Sequence, residues 1–207
     1  KKGMTGWDSV LSTTTRITDS IAIYLPPNVE DKTTASYTIL PEILECDEFI
    51  NADEIAKGLS PFKPEKEGIQ AGRLMLYRIK TLINSEQDFA FETTLATKSY
   101  RSLVVEAQKN GFFVSLYFFW LSSQALAIKR VETRVKEGGH NIPEYIIRRR
   151  YENGLNNFFT IFKGLVDDWI FIDNSGEPYQ IIAEGGKDDV EVGNIKIWEK
   201  LKDRYNG

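Results

Sequence analysis

Ser20-Ile21-Ala22-Ile23-Tyr24-Leu25-Pro26-Pro27-Asn28-Val29-Glu30-Asp31-Lys32-Thr33-Thr34 is the stretch on which the fold reading turns. Its first six residues form a run of strand formers, and the paired prolines stop it. A helix is predicted over 33–40. Strand, loop, Lys-Thr, helix is the setting in which a G-x-x-x-x-G-K-[ST] loop holds phosphate with successive backbone N–H groups and the positive end of a helix. Here Pro26 and Asp31 stand at the two glycine positions. Pro26 has no N–H to offer. Asp31 sets a carboxylate beside the lysine that would meet phosphate, and two such charges about 4 Å apart repel by about 1 kcal/mol in water. By itself the segment reads either as an altered phosphate loop or as an ordinary strand–turn–helix connection.

The chain outward from this stretch has the length and composition of one α/β domain. It has 207 residues, 42% hydrophobic and 27% charged, which is the balance of a globular protein rather than a disordered one. A net charge of −4 leaves nucleic acid unexpected as a partner without a local basic patch. The single cysteine, Cys46, excludes an internal disulfide framework and fits a reducing cytoplasmic setting. The longest apolar run, 112–121, is too short to span a bilayer, so no membrane role is expected. Residues 1–19 are rich in Ser and Thr and read as an unmatched N-terminal arm, with a single domain over 20–207.

Strand and helix patterns alternate along that domain, which predicts a mainly parallel sheet covered by helices. A first strand is expected at 20–25 and a short one near 48–51. A long helix follows, with Met75, Leu76, Ile79, Leu82 and Ile83 at three- and four-residue spacing. Phe89-Ala90-Phe91 forms the next strand, ending at Glu92. A helix over 98–110 stops at Gly111, and 112–120 reads as a central strand buried on both faces. A helix carrying Ala127, Val131 and Val135 ends at Gly138-Gly139, and Pro143 opens the next. A last core strand covers 169–172, an edge strand 179–183, and an amphipathic helix 194–205.

Ligands of open α/β sheets bind beyond the carboxyl ends of the strands. Four polar groups fall there: the Lys32 loop, Asn51 with Asp53, Glu92-Thr93-Thr94, and Asn174-Ser175. Each also has a plain structural use. Asp53 suits a helix cap, the threonines suit the next helix start, and Asn174-Ser175-Gly176 suits a turn. Arg130 and Arg134 lie one helical turn apart, and Arg148-Arg149-Arg150 follows beyond the Gly-Gly break. Two basic helices about a glycine pair suit either a lid over phosphates or a solvated face. His140 has no Cys or His near it in sequence, which argues against a metal site there.

These residues resemble the zeta-toxin-type P-loop kinases of bacteria. The resemblance rests on Asn51-Ala52-Asp53-Glu54-Ile55-Ala56, Phe91-Glu92-Thr93-Thr94-Leu95 and Arg134-Val135-Lys136-Glu137-Gly138-Gly139-His140-Asn141-Ile142-Pro143-Glu144. Arg149-Arg150-Tyr151, Asn156-Asn157-Phe158 and Asp173-Asn174-Ser175-Gly176 continue it. It covers the chain from about residue 21 onward. It implies a three-layer P-loop NTPase-like fold and ATP-dependent phosphoryl transfer, with Mg²⁺, to a hydroxyl of a sugar nucleotide such as UDP-N-acetylglucosamine.

By position, the resemblance makes Asp53 the acceptor of the hydroxyl proton and Glu92 an acidic group near acceptor or metal. Arg134 and one of Arg149 or Arg150 become the lid arginines. Asn28, Lys32, Thr33 and Thr34 become the nucleotide loop, with Thr33 as the Mg²⁺ hydroxyl. Asn51, Thr93 and Thr94 then line the acceptor side. An antitoxin protein is an implied partner. The family loop reads Gly-Pro-Asn-Gly-Ala-Gly-Lys-[Ser/Thr], of which Pro27, Asn28, Lys32 and Thr33 remain here. The intact downstream motifs favour a small-molecule kinase impaired in nucleotide binding. The missing glycines favour a non-catalytic relative that binds a partner.

Overall fold

A computed structural model describes the backbone of residues 20–25 and all atoms of 48–136 and 142–205. The order of elements is β1 (Ser20–Leu25), β2 (Phe49–Asn51), α1 (Ala52–Leu59), a 3₁₀ turn (Pro64–Lys66), α2 (Gly68–Asn84), β3 (Phe89–Glu92), α3 (Tyr100–Lys109) and β4 (Phe113–Trp120). It continues with α4 (Gln124–Lys136), α5 (Glu144–Thr160), a 3₁₀ turn (Phe162–Gly164), β5 (Asp168–Asp173), β6 (Gln180–Gly186), β7 (Val190–Val192) and α6 (Ile195–Tyr205). The expected helix at 33–40 lies outside the described residues.

The strands form one seven-stranded sheet in the order β2-β3-β1-β4-β5-β6-β7. The first five are parallel, and β6 and β7 are antiparallel additions. This is the mainly parallel α/β sheet expected. The chain leaves β1 toward β2 on one side, then passes from β3 to β4 on the other. Its topological switch point therefore lies beside β1 and β3, where open sheets place their ligands.

One face of the sheet carries the main core. Phe89 and Phe91 of β3, Val114, Leu116, Phe118 and Trp120 of β4, and Trp169 and Phe171 of β5 pack against α2, α3, α5 and α6. Aromatic rings run through it: Phe118 stacks on Phe171 with centroids 5.1 Å apart, and Trp169 stacks on Trp198 at 5.4 Å. Ring pairs of this kind add to the area they bury. A smaller cluster of Leu121, Ala127, Val131 and Ile147 joins α4 to α5.

Three expectations are corrected. β4 is central, but burial alternates along it, with Phe113, Ser115, Tyr117 and Phe119 only half-buried. Leu76 is exposed, because the stripe Ala71-Met75-Ile79-Leu82-Ile83 takes the core-facing side of α2. β6 is not an edge strand, since β7 pairs outside it.

Asp167 ties the strand-starting edge together. Its Oδ2 accepts from Val114 N–H at 2.9 Å and from Gln108 Nε2 at 3.1 Å, and its Oδ1 meets Lys187 Nζ at 2.6 Å. Burial alone would raise its pKa; the hydrogen bonds from Lys187, Val114 and Gln108 outweigh that and hold it below the usual carboxylate range. A depressed carboxyl stabilises the fold above the unfolded pKa and loses that contribution as the pH falls through the folded value. Asp167→Ala is expected to cost about 1–3 kcal/mol at neutral pH, since it strands the Val114 donor. In urea unfolding the gap to the parent protein should narrow as the pH drops below the carboxylate range. A gap that stays constant into acid would contradict this.

Candidate active site at the strand ends

The carboxyl ends of β2, β3 and β1 lie side by side. Asn51 is registered with Glu92, and Glu92 with Tyr24, the residue before Leu25. β2 and β1 are one strand apart, so Asn51 ends roughly 10 Å from where β1 ends, at a strand spacing of about 4.8 Å. The loop beginning at Pro26 leaves from that point in sequence. Asn28, Lys32, Thr33 and Thr34 lie outside the described residues, as do Gly138, Gly139 and His140.

Asn51 organises the acidic residues. Its Oδ1 accepts from Asp53 N–H at 2.7 Å and Glu54 N–H at 3.3 Å, so Asn51, not Asp53, caps α1. Its Nδ2 donates to Glu92 Oε2 at 2.7 Å. Both ends of the amide are thereby used, and its rotamer is held by two strands and a helix. Asp53 stands exposed in the first turn of α1, where the helix N-terminus favours its charge. Among the described residues nothing bonds its carboxylate. The site thus pairs a half-buried, oriented Glu92 with a solvent-facing Asp53.

The threonines divide. Thr93 is buried, and its Oγ1 accepts from Leu95 N–H at 3.2 Å, closing a tight turn rather than starting a helix. Thr94 keeps its side chain exposed beside Glu92. Asn174 and Ser175 do structural work. Ser175 Oγ accepts from Ser122 N–H at 2.7 Å, and Asn174 N–H donates to the Trp120 carbonyl at 2.8 Å, tying the ends of β4 and β5.

The arginines differ in setting. Arg130 donates from Nη2 to the Asn174 carbonyl at 2.7 Å. Arg134 shares the helical stripe of the buried Ala127 and Val131 and is itself half-buried. Its Nε and Nη2 are buried and meet no hydrogen-bond partner among the described residues. Buried donors on a permanent cation are costly to leave unmade. Arg149 and Arg150 are both exposed. Arg149 lies on the stripe of Asn153, Asn156 and Thr160, three positions that face solvent. Arg150 lies on the stripe of the buried Gly154 and Asn157.

Gly154 and Asn157 of that stripe, to which the sequence assigns no role in the site, touch it. Asn157 Nδ2 donates to the Leu95 carbonyl at 2.7 Å. A Cβ on Gly154 would lie 2.9 Å from the Thr94 carbonyl oxygen. The signal was present: an asparagine and a glycine on a helical face otherwise carrying Ile147, Leu155 and Phe158. Among the described residues no group of three His, Cys, Asp or Glu side chains could hold a metal ion. No helix there is long and apolar enough to cross a membrane.

No protein-family model matches the chain. An uncharacterized protein of Haemophilus influenzae is 33% identical over 102 residues, spanning 49% of this chain and 73% of that protein. The chain belongs to that protein's family. Among solved structures, a chain of the AvrRxo1-ORF1:AvrRxo1-ORF2 complex with sulphate ions superposes with a TM-score of 0.70 at 14% identity. It is matched over 90% of this chain and 64% of its own length, so this chain spans less than two thirds of it. The same complex with ATP gives 0.67, also at 14% identity, over 90% of this chain and 64% of that one. The PezAT chromosomal toxin-antitoxin system of Streptococcus pneumoniae gives 0.64 at 13% identity, over 96% of this chain and 83% of its own. At such identities the likeness is one of fold. The chain has the P-loop kinase-like α/β fold of these structures.

Proposed function

We propose that this chain is a kinase-type phosphotransferase that moves the terminal phosphoryl group of ATP to a hydroxyl of a sugar-nucleotide-like acceptor. The observation that carries the reading is the acidic pair at the switch point, with Asn51 orienting Glu92 beside an exposed Asp53. Phosphoryl transfer asks a protein mainly for positioning and charge neutralisation. Asp53 is placed to take a proton from a hydroxyl delivered over the ends of β2 and β3. The acceptor oxygen then bonds to the terminal phosphorus as the bond to the bridging oxygen breaks and the diphosphate leaves. Thr94 and Asn51 bound the acceptor side.

The side chains fit a polyphosphate. Arg134 holds two buried donors with no partner among the described residues, a setting that an anion would satisfy. Arg150, through its stripe on α5, is the choice over Arg149 for a second cation. Lys32, Thr33, Thr34 and Asn28 would cradle the nucleotide. Mg²⁺ bound with ATP would supply further charge neutralisation, with Thr33 and Glu92 the residues offered to it. A metal held chiefly by substrate phosphates needs no cluster of protein carboxylates.

Two further parts of the proposal concern setting and partners. The cytoplasm suits a chain with one cysteine. An antitoxin protein is proposed as a partner, in keeping with the PezAT neighbour, which comes from a toxin-antitoxin system. The altered loop favours a second reading, in which the fold binds a protein partner without catalysis.

The test is transfer of ³²P from γ-labelled ATP to UDP-N-acetylglucosamine at millimolar ATP. Transfer should be measurable in the parent protein. In Arg134→Ala it should fall by about a hundredfold, the scale seen when one preorganised charge donor is removed. Arg149→Ala should stay within about threefold, a solvated-face change. Equal losses for Arg149 and Arg134 would overturn the assignment.

A further inference from the structure

The buried polar side chains among the described residues are Thr93 and Asn157, and both bond the same residue. Thr93 Oγ1 takes the Leu95 N–H at 3.2 Å, and Asn157 Nδ2 gives to the Leu95 carbonyl at 2.7 Å. Leu95 is fully buried and has a φ of 52°. That left-handed conformation costs a residue with a Cβ about 1–2 kcal/mol, and it persists only where the surroundings over-determine it. Next to it, the Thr94 carbonyl lies so close to Gly154 that any Cβ there would sit 2.9 Å from the oxygen.

Each feature has an ordinary use taken alone. Buried amides need partners, and helix glycines allow close packing. Together they act on three consecutive residues directly after Glu92. A connection from β3 to α3 does not require a strained leucine. The turn here buries Leu95 at positive φ, leaves the Thr94 side chain exposed and keeps Glu92 on Asn51.

We infer that Gly154 and Asn157 are positioning residues: α5 clamps the β3–α3 loop in its strained turn and thereby sets the acidic pair. The catalytic consequence rests on the phosphotransferase reading; the clamp itself does not. Arg150 sits one turn before Gly154 on the same stripe. The clamp therefore makes one rigid link between the acidic loop and the helix that carries the cation. A loop released from α5 would loosen Glu92 and its hydrogen bond to Asn51, and with them the register of the acceptor side against the phosphoryl group; a displacement of about 1 Å can cost on the order of a hundredfold in rate.

The experiment uses the full chain with Asn157→Ala, Gly154→Ala and a control, Gln108→Ala. The control also removes a side-chain donor, to the half-buried Leu165 carbonyl at 2.9 Å and to Asp167 Oδ2 at 3.1 Å, but near the start of β5. The first readout is amide hydrogen exchange at Leu95, whose N–H is held within the turn. Exchange there should quicken by about tenfold or more in both α5 variants and stay unchanged in the control, as expected of a local opening. The second readout is transfer from ATP to UDP-N-acetylglucosamine. In the α5 variants kcat should fall by about 10- to 100-fold with KM for ATP within about twofold, the pattern of a lost transition-state alignment. The control should keep its kcat even where its thermal stability falls as far.

Unchanged exchange at Leu95 overturns the clamp. So does a kcat loss in Gln108→Ala that matches Asn157→Ala at equal thermal destabilisation. If the parent protein shows no transfer at all, the phosphotransferase reading fails, and exchange at Leu95 still decides the clamp.

Discussion

Asp53→Ala should reduce phosphoryl transfer by about a thousandfold, or about 4 kcal/mol of barrier, while leaving nucleotide affinity within about twofold. The size follows from the role. A base contributes about 10²–10⁴ when it takes a proton in the transition state, and its removal leaves no neighbour able to substitute. Glu92 cannot move in, because Asn51 Nδ2 holds its Oε2 at 2.7 Å. Folding should barely notice the change. Asp53 is exposed, and the cap of α1 belongs to Asn51, whose Oδ1 bonds the Asp53 backbone rather than its carboxylate. The measurement is kcat and KM for ATP with UDP-N-acetylglucosamine, alongside thermal melts. A kcat within tenfold of the parent would remove Asp53 from the chemistry. A large fall in melting temperature would show that its work is structural.

Restoring the loop glycines is expected to give the other large effect. As it stands, the chain should bind ATP–Mg²⁺ weakly, because Pro26 withholds a donor and Asp31 repels an anionic ligand. Together with lost glycine freedom these amount to about 3–4 kcal/mol, or roughly two to three orders of magnitude in affinity. Pro26→Gly, Val29→Gly and Asp31→Gly combined should recover that range in titration calorimetry. Micromolar binding by the parent protein would show that the glycines matter less than the family pattern implies. If the restored protein neither binds nor turns over ATP, catalysis is not what this scaffold does, and the partner-binding reading takes its place. Performing Asp53→Ala in the restored background separates the two effects, since one acts on affinity and the other on rate.

The elements that were legible in the sequence are those whose signal is local. β1 falls at Ser20–Leu25 as its composition demands, and α3 ends before Gly111, which takes a φ of 90° that suits glycine. Asn51, Asp53 and Glu92 were legible as candidates because each stands where a strand pattern stops, and strand ends are where α/β sheets bind ligands. Their hydrogen bonding was not legible: nothing in the spacing of 51 and 92 says that one amide would both cap α1 and orient the glutamate.

Tertiary structure decided the rest. Leu76 fits the helical spacing of α2 but lies about 100° from Met75, and only the sheet's position says which of the two is buried. β7 is three residues, Val190–Val192, too short for a periodic signal, and exists because β6 offers it an edge. Arg134 reads in sequence as either a lid residue or part of a solvated face, and only the fold shows two of its donors buried. Leu95 carries no sequence mark of a left-handed turn. Its conformation is imposed by Thr93 from its own loop and by Asn157 from a helix 62 residues away. The sequence by itself determined most of the order of elements and which polar residues fall at the strand ends, because those depend on near neighbours. Burial, orientation and strain depend on residues brought together from far apart, and only the folded chain specifies them.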